Sequence, residues 1–375
     1  HVKLVTFYFN RMKKLFGKKK KDKSETRTDN NELNDIKSDE QTSESKNNNT
    51  KINKNIPYNV IVFDGNRGHD WTEFFENKTL NNGRPIHVYQ ASWNKVELTV
   101  YAEDNETLVN MAPLHESTGK VDVKNNKTCT VKPHFIIIRN QPRGAIPETD
   151  RRKILYGLMM AGIPSMNSWE AIYMNLERPI MMGALKSIEN KLSKDNKGKF
   201  PLIPATYYSS YKQMIISPTM PCIIKVSHAH AGMGKIKADN STVFRDVSTI
   251  LAVNDNYCTA EPFISPEYGI RVQKIGKTYR VMKKEFTGSG WKSQFGGAAL
   301  FEIELTDEYK FWADECSTLF GGMDILAVDA IHGKNGKDYI IELNGTAIGI
   351  IPEKWKEDTQ TIVNMCIDKM NTIYC

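Results

Sequence analysis

Nowhere in the 375 residues is there an apolar run of about 18, the length a membrane-crossing helix needs, so no transmembrane span is expected. The six cysteines, at 129, 222, 258, 316, 366 and 375, show no paired spacing and no Cys-x-x-Cys. Several lie in apolar runs, which predicts buried, reduced thiols of a cytosolic protein rather than a disulfide framework. Neither the Gly-Lys-Ser/Thr of a P-loop nor the dinucleotide-binding glycine fingerprint is present. No internal repeat is apparent. The chain also lacks a Met at its start: it opens on His1, and the expectation is that the true N-terminus lies upstream. Without a secretory signal, a sequon such as Asn77-Lys-Thr79 carries no meaning.

What is missing from the globular part is an excess of positive charge. The net charge of +7 is concentrated at one end: residues 1–23 hold nine Lys/Arg and one Asp, a net of +8. Residues 24–56 hold five basic and seven acidic side chains, and the remainder carries 37 basic against 36 acidic. The pI of about 8.8 therefore lends no support to nucleic-acid binding by the folded part. Residues 24–56 are Asn, Ser, Lys, Thr, Asp and Glu with almost no apolar content, a composition that predicts disorder. A hydrophobic content of 40% supports a core in the rest, with room for two domains.

Order is expected from Tyr58-Asn-Val-Ile-Val-Phe63, an apolar strand, with further strands at Ile86–Tyr89, Val96–Tyr101 and His134–Arg139 and a helix near Arg151–Ala161. Strands alternating with helices in this way make a small α/β lobe. Pro164 to Ser168 reads as a link. Beyond it come a helix from Pro179 to Lys194, strands near Leu202 and Pro221–Val226, a helix near Val243–Val253 and a strand Tyr257–Ile264. A hairpin Ile270–Ile275 and Thr278–Lys284 turns at Gly276-Lys277. Pairing Ile275 with Thr278 puts Arg271, Gln273, Arg280 and Lys284 on one face, where three cations call for anions such as a triphosphate, or form a solvated outer face. The stretch Phe286–Ala299 is Gly-rich, carries Trp291 and Lys292, and reads either as a lid or as a bare connection.

Two stretches carry the chemistry. In Lys225-Val-Ser-His-Ala-His-Ala-Gly-Met-Gly-Lys235, Gly232 and Gly234 flank Met233 in a loop that lets backbone N–H groups approach an anion, with Lys225 and Lys235 as point charges. A lone Gly-x-Gly loop is by itself a weak signal. In the second stretch, Ala327-Val328-Asp329 and Ile340-Ile341-Glu342-Leu343-Asn344 read as strands joined at Asn335-Gly336, a two-residue hairpin signal. If Lys334 pairs with Lys337, Asp329 lies opposite Glu342, and Asn344 shares their face. Two facing carboxylates repel unless a cation lies between them, and a hard divalent ion on oxygen ligands resolves the conflict. The bland reading is a solvated acidic face, but strands this apolar are buried on both sides. His228 and His230 form a tempting metal pair, yet no third ligand at suitable spacing appears, which favours structural or phosphate-neighbouring roles.

These residues bring a known family into view. The chain resembles the synapsins over about residues 57 to 373. The motifs that carry the likeness are Tyr156-Gly157-Leu158 through Ala161-Gly-Ile-Pro-Ser-Met-Asn-Ser168, His228-Ala-His-Ala-Gly-Met-Gly-Lys235, Thr259-Ala-Glu261-Pro-Phe-Ile264, Arg271-Val-Gln-Lys-Ile-Gly276, Phe320-Gly-Gly-Met-Asp-Ile325 and Ile331-His-Gly-Lys334. The resemblance implies an α/β architecture: an ATP-grasp fold over residues 166–373, preceded by a small Rossmann-like pre-ATP-grasp domain over 57–165 and a disordered tail over 1–56. It implies ATP held between two lobes with Mg or Ca, and no well-established turnover.

Residue by residue, the resemblance implies that Lys225 contacts phosphates, with Arg178 standing where the family has a second phosphate Lys. A planar guanidinium there leaves the contact geometry in doubt. Glu261, Phe263 and Ile264 fall where a hinge strand receives adenine, and Arg271 matches an Arg on the metal side. Gly269 departs from an acid found in many relatives. Together with His230, Gly232, Met233, Gly234, Lys235 and Lys292 these form the expected ATP site, and Asp329, Glu342 and Asn344 the expected metal ligands. Asn344 departs from the apolar residue of the synapsins toward the Glu-x-Asn of ATP-grasp ligases, which keeps a ligase activating a carboxylate as an acylphosphate in view. The Arg-Arg-x-Ser phosphosite of the family is not present. Expected partners are synaptic vesicle membranes rich in anionic phospholipid, actin, and further copies of the chain as a dimer or tetramer, with no nucleic acid. Residues 1–23 suit a surface helix, with a disordered basic tail or wrongly included upstream sequence as the alternatives: Leu4, Val5, Tyr8, Phe9, Met12, Leu15 and Phe16 fall on one side and Lys3, Arg11, Lys13, Lys14 and Lys18 on the other, with Phe7 the exception.

Overall fold

Apolar runs without alternation set the first half of the fold. The computed structural model describes residues 56–375 apart from 67, 102–105, 117–127, 145, 196–197, 229–231 and 287–297. The basic segment, the low-complexity tail, His230, Lys292 and most of the Gly-rich loop therefore lie outside the described residues. Strand β1 (Tyr58–Phe63) runs parallel to β2 (Ile86–Ala91), and both are buried along nearly their whole length. Strands β3 (Val96–Tyr101) and β4 (Glu106–Met111) pair antiparallel, β5 (His115–Glu116) edges β2, and β6 (Cys129–Val131) joins β4. Strand β7 (Phe135–Ile138) completes a sheet of order β5-β2-β1-β7, in which β1, β2 and β7 are parallel.

The helix Arg152–Ala161 stops at Gly162, whose φ of 63° supplies the left-handed cap. The chain then crosses through Asn167, which is 1% exposed. Its carboxamide exchanges two 2.8 Å hydrogen bonds with the backbone of Ile325, as a neighbouring strand would. Ser168 caps the short helix Trp169–Met174, and the helix Arg178–Asp195 follows.

Strands β8 (Thr206–Tyr208), β9 (Cys222–Val226), β10 (Lys235–Ala238) and β11 (Cys258–Pro262) form a second sheet, packed against the helix Ser241–Asn254. Strands β12 (Pro266–Ile275), β13 (Thr278–Phe286), β14 (Ala298–Ile303), β15 (Ile325–Gly333) and β16 (Asp338–Asn344) form the third, in the order β14-β13-β12-β15-β16. The C-terminal helix Trp355–Tyr374 returns to the first sheet. Ile362, Val363, Cys366 and Met370 share one core with Val60, Val62, Phe135 and Ile137, and the start of β15 joins it through Ile325 and Ala327. All six cysteines are free, four of them buried. Among the described residues no helix is long and apolar enough to cross a membrane.

Two details depart from the sequence reading. Ile275 does pair with Thr278, so Arg271, Gln273, Arg280 and Lys284 share a sheet face as expected. That face, however, is divided. Arg280 is 6% exposed and lies under the C-terminal helix, bonded to Asp358 at 3.0 Å and Glu357 at 2.6 Å, while Gln273 donates to Asp358 at 3.0 Å. A protein carboxylate, not a triphosphate, answers this cation. The β15–β16 turn also differs. Gly333 N–H bonds Lys337 O and Gly336 N–H bonds Gly333 O, with Gly336 at φ 71°, so the loop is three residues rather than two. His332 pairs with Asp338 and Ala330 with Ile340, one residue away from the counted register. A bulge between Asp329 and Ala330 restores it, and Asp329 pairs with Glu342.

Removing Asp358 leaves Arg280 and Gln273 buried beneath the helix. Asp358→Ala is expected to cost about 3 kcal/mol, the lower end for a broken buried pair because Glu357 remains. Urea denaturation checks this, and a loss under about 1 kcal/mol would show the pair to be dispensable.

Candidate functional site

The second and third sheets enclose a cavity of about 600 Å³ whose lining includes Lys225, Lys235, Glu261, Phe263, Ile264, Arg271, Lys284, Asp329, Glu342 and Asn344. The sequence thus identified residues from β9, β10, β11, β12, β15 and β16 that the fold brings to one space. On the β9–β11 side, Lys225 faces Thr259, so Glu261 is its diagonal neighbour on the same face. The ammonium sits against both carboxylate oxygens, at 2.6 and 2.5 Å, with both residues under 5% exposed. Burial pulls the Lys225 pKa down to about 8, against the raising effect of Glu261 and helped by Arg178 and Lys235.

Strand β10 begins at Lys235, opposite Lys225. The loop before it turns through Gly232 at φ 74° and Gly234 at φ 63°, and Gly234 O accepts from Val226 N at 2.8 Å. Gly232 lines the cavity, whereas Met233 is half exposed. His228 lies 2.9 Å from Gly144 O through Nε2, which ties this loop to the segment after β7. Phe263 bonds Pro221 O through its backbone N–H and takes the Lys237 ammonium over its ring at 4.4 Å.

On the opposite wall, the facing acids are answered by protein cations. Arg271 Nη1 lies 3.3 Å from Asp329 Oδ1, Arg178 Nη2 3.4 Å from Glu342 Oε1, and Lys235 Nζ 3.8 Å from Glu342 Oε2. Each of the two facing acids thus has a protein cation beside it. Burial would raise the Glu342 carboxyl, but Arg178, Lys235, Lys225 and Arg271 hold it down to about 2. Asp329 moves the other way, raised by burial and by Glu342 against the pull of Arg271. The two facing carboxyls are thereby pushed apart in acidity.

Asn344 Nδ2 donates to Asp329 Oδ2 at 2.7 Å, which leaves its amide oxygen for a cation. Two carboxylates and an amide oxygen suit a hard ion such as Mg or Ca. Among the described residues no cluster of three His, Cys, Asp or Glu could hold a metal. His230 and Lys292 fall outside the described residues. Sequence reasoning missed Gln141 and the loop Ala347–Ile351, which also line the cavity. Gln141 follows β7 at the carboxyl end of the parallel sheet, a position that could have signalled it.

Comparison with known proteins agrees with this arrangement. A family model described as "Synapsin pre-ATP-grasp domain" matches residues 53–165, and one described as "Synapsin, ATP binding domain" matches residues 167–372. The chain is 30% identical over 327 residues to the synapsin of Drosophila melanogaster, an alignment that takes in 86% of this chain and 30% of that protein. The chain thus spans under a third of that relative's length. Among solved structures it is similar to the D-alanyl-alanine synthetase A of Vibrio cholerae, with a TM-score of 0.54 at 12% identity over 84% of this chain and 99% of that one. It is similar to the D-alanine-D-alanine ligase of Coxiella burnetii at TM-score 0.52 and 12% identity, over 84% and 96%. The ATP-grasp ligase PsnB, solved with a precursor variant, Mg and ADP, gives 0.53 and 14%, over 84% and 99%. At these identities the likeness concerns the fold, which is ATP-grasp.

The Lys225–Glu261 pair generates a pH-dependent expectation. Glu261→Gln removes the counter-ion and drives the folded-state Lys225 pKa further below its ordinary value near 10.5. The cost of burying the ammonium is largest below the folded pKa and shrinks as pH rises toward the unfolded one. The variant should lose about 3 kcal/mol at pH 7 and clearly less near pH 9.5. Denaturation at the two pH values checks it; an equal loss at both would remove Lys225 as the cause.

Proposed function

The chain belongs to the synapsin family, and from that membership we propose that it binds ATP with a divalent ion, peripherally on synaptic vesicles, and regulates vesicle clustering and transmitter release without releasing a product of its own. One observation carries the nucleotide part: Lys225 and Arg271 share a single cavity with Asp329, Glu342 and the amide of Asn344. In this reading Phe263 and Ile264 flank the base, and Glu261 sits at its edge. Lys225, Lys235, Arg178 and the Gly232–Gly234 loop meet the phosphates, and His230 and Lys292 belong to the same phosphate side. Asp329, Glu342 and Asn344 hold Mg or Ca, and the metal supplies charge neutralisation between the phosphates and the acids. Arg271, Arg178 and Lys235 then exchange carboxylate partners for phosphate oxygens. The division into a pre-ATP-grasp domain over 57–165 and an ATP-grasp domain over 166–373 is part of the same proposal.

A second reading, an ATP-grasp ligase that activates a carboxylate as an acylphosphate for an amine or thiol, draws on Glu342-Leu343-Asn344. The two are separated by calorimetry and product analysis. Glu342→Ala should abolish metal-dependent ATP binding, with Asp329→Ala weaker in effect; wild-type affinity in Glu342→Ala would sink the assignment. Wild-type protein should retain bound ATP with little hydrolysis when offered pools of carboxylates and amines. Turnover in the usual enzyme range of about 1–10³ per second would establish the ligase instead.

The proposed partners are anionic vesicle lipid, through residues 1–23, together with actin and further copies of the chain. Each basic side chain near such a surface contributes about 1 kcal/mol. Full-length protein should float with phosphatidylserine liposomes and protein lacking residues 1–23 should not; equal flotation would rule out that segment as the anchor.

A further inference from the structure

Asn344 lies at the end of β16, the edge strand of its sheet, where backbone groups on the outer side lack a neighbouring strand. Those flanking Asn344 are nevertheless paired. Asn175 Nδ2 donates to Leu343 O at 3.0 Å, and Gly345 N donates to Asn175 Oδ1 at 3.1 Å. One planar carboxamide thus meets a donor and an acceptor either side of Asn344, as the peptide of an added strand would. The contact is close: a Cβ on Gly345 would stand 3.4 Å from Asn175 Oδ1. Asn175 is itself held, as the C-terminal cap of the helix Trp169–Met174, with its N–H on Ala171 O at 3.2 Å. Its side chain also lines a small pocket of about 40 Å³ with Arg178, Glu342 and Asn344.

We infer that Asn175 is a positioning residue for the metal site: it fixes the backbone of Asn344 so that the Asn344 amide lies against Asp329, the arrangement in which these side chains would hold the ion. This rests on the proposed roles of Glu342 and Asn344 as metal ligands. The side chain of an edge residue is free to rotate with its backbone. Clamping the two flanking peptides removes that freedom before a metal arrives. Partners that orient metal ligands typically govern metal affinity by about 10–100-fold when removed.

The experiment measures ATP affinity by calorimetry with Mg and with EDTA, and takes the ratio as the metal enhancement. Asn175→Ala should lower the enhancement about tenfold while its affinity in EDTA stays within about twofold. The double variant Asn175→Ala/Asn344→Ala should fall no lower than Asn344→Ala alone, because both act through one ligand. Asn175→Asp keeps the acceptor for Gly345 but sets a carboxylate oxygen against Leu343 O, and should also lose about tenfold. That variant decides the matter if Asn175→Ala does not fold. Wild-type enhancement in the Asn175 variants, beside a loss in Asn344→Ala, overturns the inference alone. So does an equal loss of affinity in EDTA and Mg, or full additivity in the double variant. Wild-type enhancement in both Glu342→Ala and Asn344→Ala overturns the metal assignment and this inference with it.

Discussion

The apposition of Asp329 and Glu342 on neighbouring strands, half-buried and in register, imposes a charge balance that the surrounding elements are arranged to meet. Arg271 is one strand away on β12, Lys235 comes from the second sheet, and Arg178 opens a helix that follows the chain crossing. Three separate elements must therefore be in place before the full set of pairs on the two acids is complete. This makes the site a junction of the fold rather than a feature of one hairpin. Mutual repulsion is also divided unequally. Glu342, with Arg178 and Lys235 on it, is held near 2, whereas Asp329 rises above its ordinary value. Of the two, Asp329 is therefore the carboxyl that takes up a proton more readily as pH falls.

The first sheet contributes through an anchor at its carboxyl end. Arg139, just past β7, is buried and donates to Thr346 O and Ile348 O, the latter at 2.6 Å, while Thr346 Oγ1 donates to Ile138 O at 2.8 Å. These bonds hold the loop after Asn344 against the parallel sheet. Burial lowers the Arg139 pKa to about 10, with Asp64 and Asp358 opposing. Asp358 is also the acid that answers Arg280, so the C-terminal helix is electrostatically tied to β13 and to the residue beside the site loop. The core agrees: Ile325 and Ala327, upstream of Asp329 on the same strand, pack with β1 and β7.

Most of this was legible as residues and little of it as contacts. The unalternating runs Val60-Ile-Val-Phe63 and Ile325-Leu-Ala-Val328 give buried strands because burial on both faces leaves no polar positions to mark. Facing of Asp329 and Glu342 was read correctly, but from a two-residue turn that the chain does not form. A three-residue loop moves the register one way and the bulge after Asp329 moves it back, and neither leaves a distinct mark in single-letter order. Arg280 shows the other limit. Alternation places it on a face, and only the return of the C-terminal helix decides that Asp358 rather than a ligand covers it. Asn167 and Asn175 act as substitute strand units, a role that depends on partners more than 150 positions away in the chain.

Charge neutralisation within the protein has a consequence for ligand binding. Lys225 is engaged by Glu261, and Arg178, Lys235 and Arg271 by the two acids, so an arriving polyphosphate meets cations already in use. In the proposed reading, phosphate oxygens would take these cations while a metal ion takes the acids, so that each ligand offsets the charges the other leaves unpaired. The segment 175–178 sits where this exchange is controlled, since Asn175 braces Asn344, Arg178 holds Glu342, and Glu177 between them bonds Arg143 and, at 3.2 Å, the hydroxyl of Tyr257 beside β11.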